Sequence, residues 1–159
     1  MKNIILLFIL IFVTGCSTNQ LMYKLGRSSE NGNVVIYRYL TGLPKPETTS
    51  NYPWLTVIKW KYDGAQYNGM PSESERKGIL NLEIAIENSL ESKNLAISAY
   101  SKTGNGAKEL VYYIRNRETF TKRLNKALKS HPQYPIEINF YEDKEWKDLA
   151  KLLKDANNS

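Results

Sequence analysis

Apolar and polar positions alternate with a period of two in several short stretches and recur at helical spacing in others. Val34–Leu40 reads as a strand. In Leu55–Tyr62, the side chains of Ile58, Trp60 and Tyr62 share one face and Val57, Lys59 and Lys61 the other, which predicts an aromatic side turned inward. Ile79, Leu82, Ala85, Ile86 and Leu90 form a helical stripe begun by Ser72 or Ser74, with Glu73 and Glu75 in the first turn and Glu83, Glu87 and Glu91 outside the stripe on a solvated face. Leu95–Tyr100 and Glu109–Ile114 flank Thr103-Gly-Asn-Gly106 and predict a hairpin. Asn116 caps a helix over 117–129 with Phe120, Leu124, Ala127 and Leu128 inward, stopped by His131-Pro132. Ile136, Ile138 and Phe140 alternate with Glu137, Asn139 and Tyr141, a half-buried strand. Asp143 then caps a last helix whose apolar side is Trp146, Leu149, Ala150 and Leu153.

From Leu55 to Tyr141 the order is strand, helix, strand, strand, helix, strand. That is the βαββαβ order of the ferredoxin-like unit, so the expected class is α+β: an antiparallel sheet with two packed helices. The strand at 34–40 should add an edge or pair with 55–62, and the C-terminal helix should cross an open surface or the sheet end.

The N-terminus has a different pattern. Lys2 precedes ten consecutive apolar residues, Ile4–Val13, and Thr14-Gly15 leads into Cys16. Ten helical residues span about 15 Å, half of the ~30 Å hydrocarbon core, so the stretch suits a signal peptide rather than a membrane span. The expected organisation is a signal peptide over residues 1–15, a polar tether over 16–32 and one α+β domain over 33–156. Val13-Thr14-Gly15-Cys16 resembles the lipobox of bacterial lipoproteins. The resemblance implies cleavage before Cys16, diacylglycerol on its sulfur and acylation of the new amino end, which is enough for stable membrane anchoring. Ser17 after the cysteine resembles enterobacterial signals for the outer membrane, facing the periplasm.

Composition narrows the chemistry. A chain with one cysteine forms no internal disulfide, and one histidine, His131, leaves a zinc site without its usual ligands. No catalytic set, metal site or cofactor is expected. Gly104-Asn-Gly106 lacks the following Lys-Ser/Thr of a phosphate loop and links two strands. The 22 Lys/Arg exceed the 16 Asp/Glu, for a formal charge of +6. The excess gathers in one segment, where Arg115, Arg117, Lys122, Arg123, Lys126 and Lys129 face the single acid Glu118. A solvated helix face is one reading of this run; the functional one is a binding face for an acidic protein partner, with anionic lipid as the competing occupant. Nucleic acid is not expected of an exported chain lacking a recognition motif.

Pro53-Trp54-Leu55, Gly69-Met70-Pro71, Tyr112-Tyr113 and Tyr141-Glu-Asp143-Lys-Glu-Trp146 resemble an uncharacterised bacterial domain family, itself akin to the ribonuclease E inhibitor protein B family. The resemblance covers about Asn51 to Leu153. It implies the ferredoxin-like fold and protein binding, and no catalytic residue. The leading functional expectation is therefore a non-catalytic envelope lipoprotein that binds another protein, such as an immunity protein against a toxin delivered to the periplasm. The alternative is an envelope enzyme or ligand-binding module. It would use Tyr141, Asp143 and Trp146, with the loop at Met70 as a second candidate.

Overall fold

Helix α2 (Glu73–Ser89) starts at Ser72, whose Oγ accepts from the Glu75 amide at 3.3 Å while its own amide donates to Glu75 Oε2 at 2.7 Å. This reciprocal box settles the start on Ser72 rather than Ser74. The computed structural model describes residues 21–158. Its other elements are β1 (Tyr23–Glu30), β2 (Asn33–Leu40), the single turn α1 (Pro46–Thr49), β3 (Trp54–Lys61), β4 (Ala96–Gly104), β5 (Ala107–Ile114), α3 (Arg117–Leu128), β6 (Ile136–Glu142) and α4 (Lys147–Asn157). The expected signal peptide over 1–15 and the expected lipidation site Cys16 lie outside the described residues.

The class is α+β: the described residues form four α-helices, two short 3-10 turns at Ala65–Tyr67 and Glu91–Lys93, and one six-stranded antiparallel sheet of order β1-β2-β4-β5-β3-β6. The sheet has more strands than the expected five. Residues 23–30, expected to belong to a tether, form β1. Asn31 and Gly32, at φ 51° and 80°, fold that strand back onto β2. β2 does not pair with β3 as one expectation had it. It lies between β1 and β4, and the neighbours of β3 are β5 and β6.

Both faces of the sheet are covered. Ile58 and Trp60 of β3 and Leu110, Tyr112 and Ile114 of β5 pack beneath Ile79, Leu82 and Ile86 of α2 and Phe120 and Leu124 of α3. On the other face, Leu55, Val111 and Tyr113 pack with Tyr52, Trp146 and Leu149, so α4 covers that side. Residues 110–114 are consequently all buried, as expected for a central strand between two layers.

The joint between β6 and α4 is built on Asp143. Its Oδ1 accepts from the Lys147 amide at 2.9 Å, and its Oδ2 accepts from the Asp148 amide at 3.0 Å and from Tyr113 Oη at 2.6 Å. Trp146 takes the left-handed conformation (φ 56°), stacks on Tyr113 at 3.7 Å between ring centroids, and donates from Nε1 to Tyr52 O.

Candidate functional site

Helix α3 is pinned by two side chains and one cap. Asn116 Oδ1 accepts from the Thr119 amide at 2.8 Å, and Phe120 and Leu124, both 1% exposed, anchor the inner face. Lys122 and Lys126 stand two residues from these anchors, roughly half a turn around the helix, and so point outward. Arg115, Arg117, Lys122, Arg123, Lys126 and Lys129 are all exposed.

Among the described residues, none of the six forms an ion pair with a carboxylate. Arg115 lies 4.8 Å from the Tyr52 ring centroid and donates to its hydroxyl at 3.1 Å; Arg117 lies 4.1 Å over Trp54. The neighbouring acids of β6 are engaged elsewhere, Glu137 with Lys61 at 3.6 Å and Glu142 with Lys144 at 2.8 Å. The positive field of α3 is therefore not cancelled by adjacent carboxylates.

Beside this helix runs a shallow groove of about 660 Å³, with Arg117, Thr121 and Lys122 on one wall and Trp54 and Phe140 on the other. Both aromatic residues are only half-buried. Among the described residues, β6 forms that edge of the sheet, with no strand beyond it. Basic helix, partly exposed aromatics and open strand edge thus adjoin. The sequence pattern exposed the basic run. It did not reveal Trp54 and Phe140 as part of the same face, because their proximity depends on the β3–β6 register, in which Trp54 opposes Glu142 and Thr56 opposes Phe140.

The residues proposed as a second site do not come together. Asp143 has both carboxylate oxygens engaged in capping. Burial raises its carboxyl, but the hydrogen bonds from Tyr113 and from the amides of Asp148 and Lys147 outweigh that and hold it below the usual carboxylate range. Trp146 is fully buried, and Tyr141 is exposed on β6.

Met70 belongs to the other end of the molecule. Its loop turns at Asn68 and Gly69 (φ 53° and 81°) and is clipped to the β4–β5 turn by the Gly106 amide, which donates to Gly69 O at 3.0 Å. Tyr62, just past β3, also donates to Gly69 O, whereas Trp54 at the start of β3 opposes Glu142. Eight residues of strand therefore separate Met70 from the Tyr141–Trp146 turn, roughly 24 Å along β3.

Among the described residues, no group of three or more His, Cys, Asp or Glu is placed to hold a metal ion, and no helix is long and apolar enough to cross a membrane. Residues 24–153 match the family described as "Family of unknown function (DUF695)". No curated protein matches the chain. The chain belongs to the DUF695 family.

Proposed function

We propose that this DUF695 member is a non-catalytic lipoprotein of the bacterial envelope, and that its α3 face binds an acidic surface on another protein. The observation that carries the reading is the set of six exposed cations on one short segment with no carboxylate partner among the described residues. Such a surface accelerates encounter with an acidic partner and orients it, while Trp54 and Phe140 offer apolar contact beside it. Within this class the concrete candidate is an immunity protein that neutralises a toxin delivered to the periplasm. The strand order β4-β5-β3-β6, with α2 and α3 on one side, supports reading this part as a ferredoxin-like unit akin to the ribonuclease E inhibitor protein B family.

Lipidation at Cys16 and an outer-membrane location complete the proposal. The anchor precedes β1, which lies at the opposite edge of the sheet from β6. Five inter-strand spacings put those edges about 24 Å apart, roughly three Debye lengths at physiological salt. This separation favours a soluble acidic partner over lipid headgroups for the α3 face.

Reversing Lys122, Arg123 and Lys126 to glutamate together tests the reading. The melting transition should be unchanged, because all three side chains are exposed. Cross-linking in envelope preparations should recover an acidic protein with the wild type and much less of it with the variant, with the difference shrinking as salt rises. Equal recovery at low salt would remove α3 from the interface. Loss of binding to anionic vesicles with protein capture intact would assign the face to the membrane.

A further inference from the structure

Glu83 and Glu91 are half-buried, and Glu87 is exposed beside them. Because β1 and β2 extend the sheet past α2, a groove of about 500 Å³ remains between that helix and the hairpin, and all three glutamates line it. Its floor follows from strand register: Ser98 opposes Tyr112, Ser101 opposes Leu110 and Thr103 opposes Lys108. Ser98 and Ser101 are three apart and would point to opposite faces of a regular strand. The register shift between Ser98 and Tyr100 turns both into the groove.

Most polar groups here are satisfied within the protein. Lys108 Nζ is shared by Glu83 and Ser101 Oγ, at 3.2 Å each. Arg38 lies 3.7 Å over the Tyr23 ring, and Tyr23 Oη donates to Ser98 O at 2.9 Å. Glu91 accepts from the Ser98 amide. Besides the Ser98 and Thr103 hydroxyls, the groups without a partner among the described residues are Glu87 and Tyr112. Glu87 has no ion-pair partner among the described residues. Tyr112 is 3% exposed, yet its hydroxyl has no hydrogen-bond partner in the protein and belongs to the groove lining. The ring is packed in the core, and the unpartnered hydroxyl is left to the groove.

The groove also has an apolar rim. Leu25, Ile36, Leu80 and Ile84 are 76%, 42%, 54% and 45% exposed, and all four border it. Burial keeps the Tyr112 phenol neutral by raising it well above its ordinary value. Burial, then Glu87 and Glu83, push Glu91 up to about 6, against the opposing effects of Arg38 and the Ser98 amide.

We propose that this groove binds a small amphipathic organic cation, a primary ammonium carried on a short apolar chain. The ammonium has three donors, which suits the Glu87 and Glu91 carboxylates and the oxygen of Tyr112. Its charge relieves the repulsion among the glutamates, and the chain lies on the apolar rim. An anion is disfavoured, since Lys108 is already matched by Glu83 and Arg38 alone opposes two further carboxylates. The volume falls within the range of small-molecule sites.

Titration of n-hexylammonium into the full-length protein, followed by NMR, tests the assignment. Saturable shifts are expected at Arg38, Glu87, Glu91 and Tyr112, and the Glu91 carboxyl should titrate lower with the amine bound. Tyr112→Phe and Glu87→Gln should each weaken binding about five- to tenfold. Glu87 is exposed, so its variant keeps the fold and stands as the check if Tyr112→Phe is unstable. Hexanoate binding as tightly as the amine, unchanged affinity in Glu87→Gln, or no saturable shift would overturn the proposal. Tighter capture of Nα-acetyl-lysine methylamide would also overturn it, in favour of a partner's lysine side chain.

Discussion

Thr56 shows how much a single side chain can conflict with its surroundings. It is fully buried in β3, opposite Tyr112 on one side and Phe140 on the other, and its hydroxyl has no hydrogen-bond partner. Thr56→Val replaces that hydroxyl by a methyl group of similar size in a strand that favours branched residues. Removing an unsatisfied buried hydroxyl should stabilise the protein by about 1 kcal/mol, read as a higher urea midpoint. A lower midpoint would mean that the hydroxyl is satisfied in solution. The glutamates of α2 illustrate the opposite kind of surprise. Helical periodicity correctly separates them from Ile79, Leu82 and Ile86, but it cannot say whether the polar side meets water or a second wall. Here it meets Arg38 and Tyr23, which come from the hairpin more than 40 positions earlier in the chain.

At the scale of elements, existence and type were largely legible, while placement was not. The strands at β3 and β6 and the helices α2 and α3 follow from periods of two and 3.6, and their inward residues meet in one core as predicted. β1 has no such pattern. Most of its side chains are exposed, and it is held by ladder hydrogen bonds and the Asn31-Gly32 turn, so hydrophobic spacing has nothing to report there. The continuous apolar run Leu110–Ile114 did carry a signal for burial on two faces, and α4 supplies the second. That helix depends on Asp143, and its dependence is pH-sensitive. The native pKa of Asp143 is depressed below the ordinary 3.8, so its stabilisation is present above that value and is lost as pH falls through the native one. Asp143→Asn keeps one acceptor oxygen where the carboxylate uses two. The variant should be about 1–2 kcal/mol less stable near pH 7, and the gap should narrow below pH ~4. A gap that persists unchanged into acid would assign the effect to shape rather than charge.

For the whole molecule, the sheet separates its surfaces: the proposed anchor leads into the β1 edge, and the basic helix lies near the β6 edge. The sequence disclosed the charge of one surface and the lipobox-like stretch ahead of β1, but not that β1 and β6 are opposite edges of the sheet. That arrangement follows from β2 choosing β4 over β3 and so extending the sheet away from β6. It also makes the anchor testable independently of the partner. The formal charge of +6 could hold the chain to anionic membranes only through screened contacts, whereas two or three acyl chains would hold it stably. Membrane association at high salt therefore separates charge from lipid, but an uncleaved Ile4–Val13 segment would also resist salt. Fatty-acid labelling combined with electrophoretic mobility avoids that ambiguity. Wild type should incorporate a fatty-acid probe and run as the shortened form. Cys16→Ser should incorporate none and run as the longer precursor, because the acceptor sulfur and the cleavage signal are removed together. Equal labelling of the two proteins would place any lipid elsewhere and leave the β1 edge without its proposed tether.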